Sequence, residues 1–424
     1  SNRFLTNPTE ARIPDPQPIE GLPDGGPGNG TLAFRQVLPF QVPEQYDPAT
    51  GHPKDRAFCL SLSVNQSLEH RVRENTVSAV PQPMDALERA MVSPEHPERM
   101  GAAQRRTQSK EATGFVACVQ LDHGLASEVA GPVDLPAADM AGYDAARAAA
   151  VASWEAYWRH SGVKLSDPEL EHAWYRNLYF LNCAVREGVT CPGLFANWSY
   201  KNIGTAWHGD YHMNYNTQQP FWVTFSSNHV DKHLPYVDLV DFLRPISRQW
   251  ARDYYGLRGA YYPHSAYPVE MTMFPYPVPG WGWEVCETPW SVQSLWWHYL
   301  YTQDRAFLAE RVFEPIRESV LFLVDYMTRP DAHGERWGDD RYHVFPTVPP
   351  ELYGLMPGFR FNHDCIADLT LIRFVFNAYL QACDILGRAD TEAETMAAVR
   401  DILAKFPEYP TAESQRGTVW VSVP

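Results

Sequence analysis

The sequence predicts a mainly α protein, an α/α toroid preceded by a β-rich, sandwich-like domain, and three observations carry that prediction. Residues 1 to about 136 alternate Pro- and Gly-rich loops with short apolar runs, the texture of strands. From Ala137 onward, helical periodicities follow one another through long aromatic loops, with no strand pattern between them. With 45% hydrophobic residues, 14 Trp, 22 Tyr and 20 Phe, the 424-residue chain can bury more than one core, which excludes disorder as a whole-chain description. The expected domains are 1–136 and 137–424, with a linker helix at about 141–160.

Taken in order, 31–34, 58–64 and 114–121 read as strands. Tyr143, Ala146, Val151, Trp154 and Trp158 recur near helical spacing within the Ala-rich stretch that forms the linker helix. Residues 167–187 carry the fullest helix signature. Asp167 is placed to cap, Pro168 takes the first helical position and Glu169 adds an early acid; Leu170, Trp174, Leu178, Leu181 and Val185 then make one face before Gly188. Further helices are expected at 233–255, 289–302, 304–313, 315–328, 364–386 closed by Gly387, and 391–406. Pro315 starts its helix rather than kinking one, because a missing N–H costs nothing in the first turn. Helix pairs joined by long loops, without α/β alternation, give a toroid whose loops build a cleft at one end. The pairs fall short of six, so the ring reads as incomplete at its C-terminal end, where 418–424 form an extended apolar run.

A formal charge of −16 argues against nucleic acid or an anionic membrane surface as partner. No run approaches the ~20 apolar residues that span a bilayer, and Ser1-Asn2-Arg3-Phe4 begins no signal-peptide core, so the compartment, periplasmic and extracellular included, stays open. Seven scattered cysteines without a CxxC pair make neither a disulfide scaffold nor a zinc site. No cofactor is expected.

Chemistry concentrates after residue 197. Loop tryptophans such as Trp207, Trp281 and Trp283 can stack on the apolar face of a sugar, which makes an oligosaccharide or glycan the expected partner. The segment 207–219 is dense in hydrogen-bonding groups, including His208, Asp210, His212, Asn214, Asn216 and Gln218, and ends on the aromatic Trp222. His208, Asp210 and His212 could ligate a metal, but no further His/Asp/Cys cluster supplies the rest of a ligand set, and no metal is expected.

The pattern Asn214-x-Asn216-x-Gln218, closed by Trp222, resembles the Asn-x-Asn-x-Gln-Met-Asn-Tyr-Trp signature of glycoside hydrolase family 95, the inverting α-L-fucosidases and relatives of the six-hairpin glycosidase superfamily. Tyr255-Gly256-Leu257-Arg258-Gly259 through His264 resembles that family's Tyr-Gly-Ala-Arg-Gly…His-His segment. Leu295-Trp296-Trp297-His298-Tyr299-Leu300 resembles its Leu-Trp-Glu-His-Tyr-Leu helix, and Pro346-Thr347-Val348-Pro349-Pro350-Glu351 its Pro-Ser-x-Ser-Pro-Glu-Asn loop, with the helix after it at 364–376. The order matches from about Tyr143 to the end. Gln219, Pro220 and Phe221 replace Met-Asn-Tyr, and Leu352 replaces the Asn after the glutamate.

The resemblance implies cleavage of a terminal α-L-fucoside or related sugar with inversion. It makes Glu351 the general acid, and has Asn214 and Asn216 position the water together with a later aspartate, whose expected region lies past Pro424. Asp210 is the first candidate base within the chain, ahead of Asp364, Glu284 and Glu287. Expected substrate-binding groups are Trp207, His208, His212, Gln218, Trp222, Arg258, His264, Trp283 and Glu284. Two arguments come from the residues themselves. The apolar neighbours Phe345, Pro346, Pro349, Pro350 and Leu352 would favour a protonated Glu351; an extended segment would aim Asn214 and Asn216 to one side. Two other readings of the same residues are a polysaccharide lyase using Arg258, His264, Tyr261 and Tyr262, and a non-catalytic carbohydrate-binding protein.

Overall fold

The computed structural model describes residues 17–18, 30–38, 56–65, 68–73, 76–79, 116–131, 138–189, 191–194, 210–266 and 283–424. The chain divides into two compact units, Ser1–Arg159 and His160–Pro424, and is mainly α.

In the first unit, β1 (Gln17–Pro18), β2 (Gly30–Leu38), β3 (Arg56–Val64) and β6 (Ala117–Leu125) make one antiparallel sheet in the order β1-β2-β3-β6. β4 (Leu68–Arg73) and β5 (Thr76–Ala79) form a separate hairpin. Strand alternation puts Ala33, Ala57 and Cys59 on a buried face with Val129, while Val119 and Leu121 of β6 are exposed. Among the described residues this is one sheet and a hairpin; a second sheet that would make a sandwich is not part of them. Helix α1 (Met140–Trp158) closes the unit and starts on Asp139, whose carboxylate accepts the Gly142 N–H at 2.7 Å.

The second unit begins with α2 (Pro168–Ala184), capped as the sequence predicts: Asp167 accepts from the N–H groups of Glu169 and Leu170. Leu178, Leu181 and Val185 are buried, whereas Leu170, at the helix's first turn, is exposed. Next come α3 (Gln219–Ser226), α4 (Leu234–Gln249), α5 (Glu287–Thr302), α6 (Phe313–Met327), α7 (Ile366–Leu386) and α8 (Ala393–Ala404). Helix α7 packs on α5 and α6, and α8 on α6. By length and composition α7 could cross a membrane, but Leu369, Ile372, Val375, Phe376 and Tyr379 are buried in the unit's interior, which accounts for its apolarity.

Three features depart from the sequence-based expectation. The helix expected at 233–255 ends in a widened π turn, Trp250–Tyr255, stopped by Gly256 at φ 68°. The helices expected at 304–313 and 315–328 are one continuous path, in which a π turn at Leu308–Val312 leads into α6; Pro315 therefore sits in the first turn of α6, downstream of the widening. Two short strands, β7 (Tyr211–His212) and β8 (Ser265–Ala266), pair antiparallel where no strand is expected. The other late pair is the C-terminal hairpin of β9 (Thr411–Ser414) and β10 (Gly417–Trp420), so the extended run expected at 418–424 is half of a hairpin.

The chain between the π turn and β8 is held against α6. At Gly259, φ 77°, a Cβ would fall 2.1 Å from the Glu318 carbonyl and 2.6 Å from the Phe322 nitrogen, so only glycine allows this approach. The Ala260 N–H bonds the same carbonyl at 3.0 Å.

Candidate active site

The β7–β8 pairing brings two distant histidines together. His212 pairs with Ser265, and the Met213 N–H donates to the His264 carbonyl at 2.9 Å. The two imidazoles meet edge to face, their centroids 4.9 Å apart. Each is backed by a buried carboxylate at Nδ1. Asp210 holds His212 through a short hydrogen bond, and Glu284 holds His264 at 2.9 Å. A carboxylate at Nδ1 favours a proton there and fixes the ring's orientation.

After β7 the chain does not continue as a strand. Residues 213–218 are turns, closed by Thr217 N–H to His212 C=O at 3.1 Å and Gln219 N–H to Tyr215 C=O at 2.9 Å, and they lead into α3. Alternation therefore does not apply, and the expectation that Asn214 and Asn216 face the same way is corrected: Asn214 is buried and Asn216 exposed. Gln218 is buried and donates to the Met213 carbonyl, bracing the turn. Trp222, on α3, meets Tyr215 and Trp297 edge to face at 5.8 and 6.1 Å.

Glu351 reaches this group from the loop between α6 and α7. Its Oε1 accepts the Asn214 amide at 2.8 Å, and its backbone N–H points to Glu284 Oε1 at 3.5 Å. The apolar setting expected from its sequence neighbours is not what surrounds it. The backbone turns through φ 52° at Glu351, and both Glu351 and Leu352 are exposed. A non-glycine residue in the left-handed region costs on the order of 1 kcal/mol and is retained where its surroundings over-determine it. Here the Val348 N–H bonds the Trp283 carbonyl at 3.0 Å, the Thr347 hydroxyl bonds Asp368 at 2.7 Å, and the fully buried Asn362 amide bonds the Thr347 carbonyl at 2.9 Å.

Buried acids lie behind this surface. Burial opposes ionisation of Glu284, but hydrogen bonds from Glu287 and His264 hold its carboxyl below the usual range. Glu287 is pushed well above that range by burial and by the charge on Glu284, and Asp368 is pushed up by burial. His212, His264 and Glu351, and separately His264, Glu284 and Glu287, bring ligand-type atoms within 4.8 Å of one another. Within these two groups, His264 and Glu284 share a hydrogen bond at 2.9 Å; in sequence His212 has no ligand-type neighbours beyond its own loop, and the fold brings His264 and Glu351 to it.

Other expected site residues are committed elsewhere. Asp210, the first candidate base, is buried and bonded to His212, so it orients an imidazole rather than facing a cleft. Asp364 pairs with His343 at 2.6 Å and accepts the Val344 N–H at 2.9 Å, a structural role. Arg258 is mostly exposed and bonds Asp325 at 2.7 Å. Trp283 is half-buried against Tyr254 and Tyr255. Trp207 and His208 lie outside the described residues, as do Trp198 and Trp281. For the lyase reading, Tyr261 and Tyr262 are fully buried and burial raises both hydroxyls well above their ordinary range, which makes them poor proton acceptors. Sequence reasoning missed Thr347, Asn362 and Asp368. The signal for Asp368 was present as a lone carboxylate in the apolar stretch 366–376.

A family model described as the glycosyl hydrolase family 95 catalytic domain matches residues 143–419. "Alpha-L-fucosidase 2" of Arabidopsis thaliana is 25% identical over 267 residues, which is 60% of this chain and 29% of that protein. "Probable alpha-fucosidase A" of Aspergillus niger is 24% identical over 231 residues, 53% of this chain and 28% of its own length. The chain thus spans less than a third of the length of these relatives.

Proposed function

Because this chain belongs to glycosyl hydrolase family 95, we propose that it hydrolyses the glycosidic bond of a terminal α-L-fucosyl or related sugar on a glycan, with inversion at the anomeric carbon. Glu351 protonates the departing oxygen. Asn214, whose amide touches the Glu351 carboxyl at 2.8 Å, orients that acid. Inversion needs the water-holding group roughly 6.5–9.5 Å from the acid, on the opposite face of the sugar. An amide in contact with the acid does not meet that spacing, so the exposed Asn216 orients the water, whose proton passes to the further aspartate that the family resemblance implies. His212 and His264, aimed by Asp210 and Glu284, bind sugar hydroxyls, and the helices of the second unit belong to an (α/α)6-type toroid that carries the loops.

The observation that carries this reading is the meeting of Asn214 and Glu351, 137 residues apart, within the span matched by the family model. It also favours a hydrolase over a lyase, whose tyrosine candidates are buried, and over a purely binding protein, which has no need of a carboxyl held at φ 52° by its loop. Proton NMR during turnover of an α-L-fucosyl oligosaccharide tests it. β-L-Fucose is expected as the first sugar released; α-L-fucose appearing first would contradict inversion.

A further inference from the structure

Behind His264 the protein buries two carboxyls, and among the described residues both donors to them, His264 Nδ1 and the Glu351 N–H, reach Glu284. Glu284 and Glu287 are both fully buried. His264 Nδ1 hydrogen-bonds Glu284 Oε2 at 2.9 Å and lies 3.2 Å from Glu287 Oε1. Among the described residues, neither oxygen of Glu287 receives a hydrogen bond. As an anion, Glu287 would be an unsolvated buried charge, a state costing several kcal/mol. As an acid it has a partner at once, because Glu284 lies within hydrogen-bonding reach. Among the described residues, the ionisable groups facing Glu287 are Glu284, Asp368, Glu351, Tyr255, Tyr261 and His264, with Cys286 beside it in sequence, and of these His264 alone can carry positive charge. Two carboxylates so placed resist a second ionisation.

We propose that Glu284 and Glu287 hold one proton between them, Glu287 donating to Glu284, so that a single negative charge fixes His264 and the backbone of Glu351. Glu284 then accepts from three directions: Glu287, His264 Nδ1 and the Glu351 N–H at 3.5 Å. Glu287 is a positioning residue that touches no substrate, and its consequence for turnover rests on the reading of Glu351 as the acid. The proton assignment itself does not.

Difference infrared spectroscopy of the whole chain at neutral pH, wild type against Glu287→Gln, reads the protonated-carboxyl C=O stretch without reference to activity. The wild type is expected to show a component of this band that Glu287→Gln removes, while the contribution of Asp368, also pushed up by burial, stays in both and cancels in the difference. Glu287→Gln keeps a donor toward Glu284 and retains turnover of a fucosyl substrate. Glu287→Leu keeps bulk without the donor, and with Glu284→Gln it lowers kcat by on the order of tenfold to a hundredfold with KM little changed. An infrared spectrum unaltered by Glu287→Gln would overturn the assignment, as would a stoichiometric divalent ion in the purified protein. A wild type that shows that component but turns over no glycoside would count against the glycosidase reading and leave the shared proton standing.

Discussion

Residue type alone does not tell the carboxylates of this chain apart; their partners do. Glu351, Asp210, Asp364, Glu284 and Glu287 are all plausible acids or bases as letters in a sequence. In the structure Asp210 is tied to His212, Asp364 to His343, and Glu284 to His264, which leaves Glu351 as the exposed carboxyl among them. Its side-chain partner among the described residues, Asn214, gives a sharp expectation. Asn214→Ala frees the carboxyl to rotate away from the departing oxygen, and misplacement on the 1 Å scale costs on the order of a hundredfold. Steady-state kinetics on a natural glycan should show that loss in kcat with KM little changed, whereas Asn214→Asp, a second carboxyl against the first, should shift the pH–rate profile as well. Asn214 and Glu351 are legible as motif residues. Their contact is not, because no local rule links positions 137 apart.

At the scale of elements, helices with strong end signals are legible and irregular segments are not. Asp167 and Pro168 fix the start of α2, and Gly387 at φ 68° ends α7. The π turns at Trp250–Tyr255 and Leu308–Val312 leave no periodic trace, since one extra residue per turn does not disturb an apolar face long enough to be read. Residues 213–218 fail the alternation rule because their hydrogen bonds close turns instead of a ladder. The His343–Asp364 pair lies just before α7, and its pH dependence follows in sign. Burial pulls His343 down, but the hydrogen bond and charge of Asp364 raise it above its ordinary 6.5. Burial opposes ionisation of Asp364, but His343 and His363 hold it below its ordinary 3.8. His343 binds its proton more tightly folded than unfolded, so its contribution is complete below pH 6.5 and is lost as pH rises through the raised value. That of Asp364 is complete above 3.8 and is lost as pH falls through the lowered value. Thermal unfolding should therefore show the pair at full strength between about pH 4 and 6.5, with a decline above that window which His343→Gln flattens. Asp364→Ala strips the buried Nδ1 side of His343 of its partner while Asp339 still meets Nε2 at 3.2 Å, and should cost about 3 kcal/mol at pH 6.

For the whole molecule, the change from strand texture to helical texture is visible in composition at Ala137, but the boundary between the compact units falls later, at Arg159 and His160, because helix α1 belongs to the first unit. What composition cannot convey is the cross-connection, two-residue strands that set His212 beside His264 and a loop that delivers Glu351 to both. That convergence is what turns a family resemblance into a chemical claim. The claim is tested most directly by comparing Glu351→Gln with wild type on two substrates, a natural fucosyl glycan and an activated aryl fucoside whose aglycone departs without a proton. Gln keeps the shape and the Asn214 contact but cannot deliver a proton, and losing general acid catalysis costs about 10²–10⁴ in rate. The account predicts that loss on the glycan and a much smaller one on the aryl fucoside, while Asn216→Ala slows both because water attack is common to them. Equal losses on the two substrates, or none on either, would contradict it.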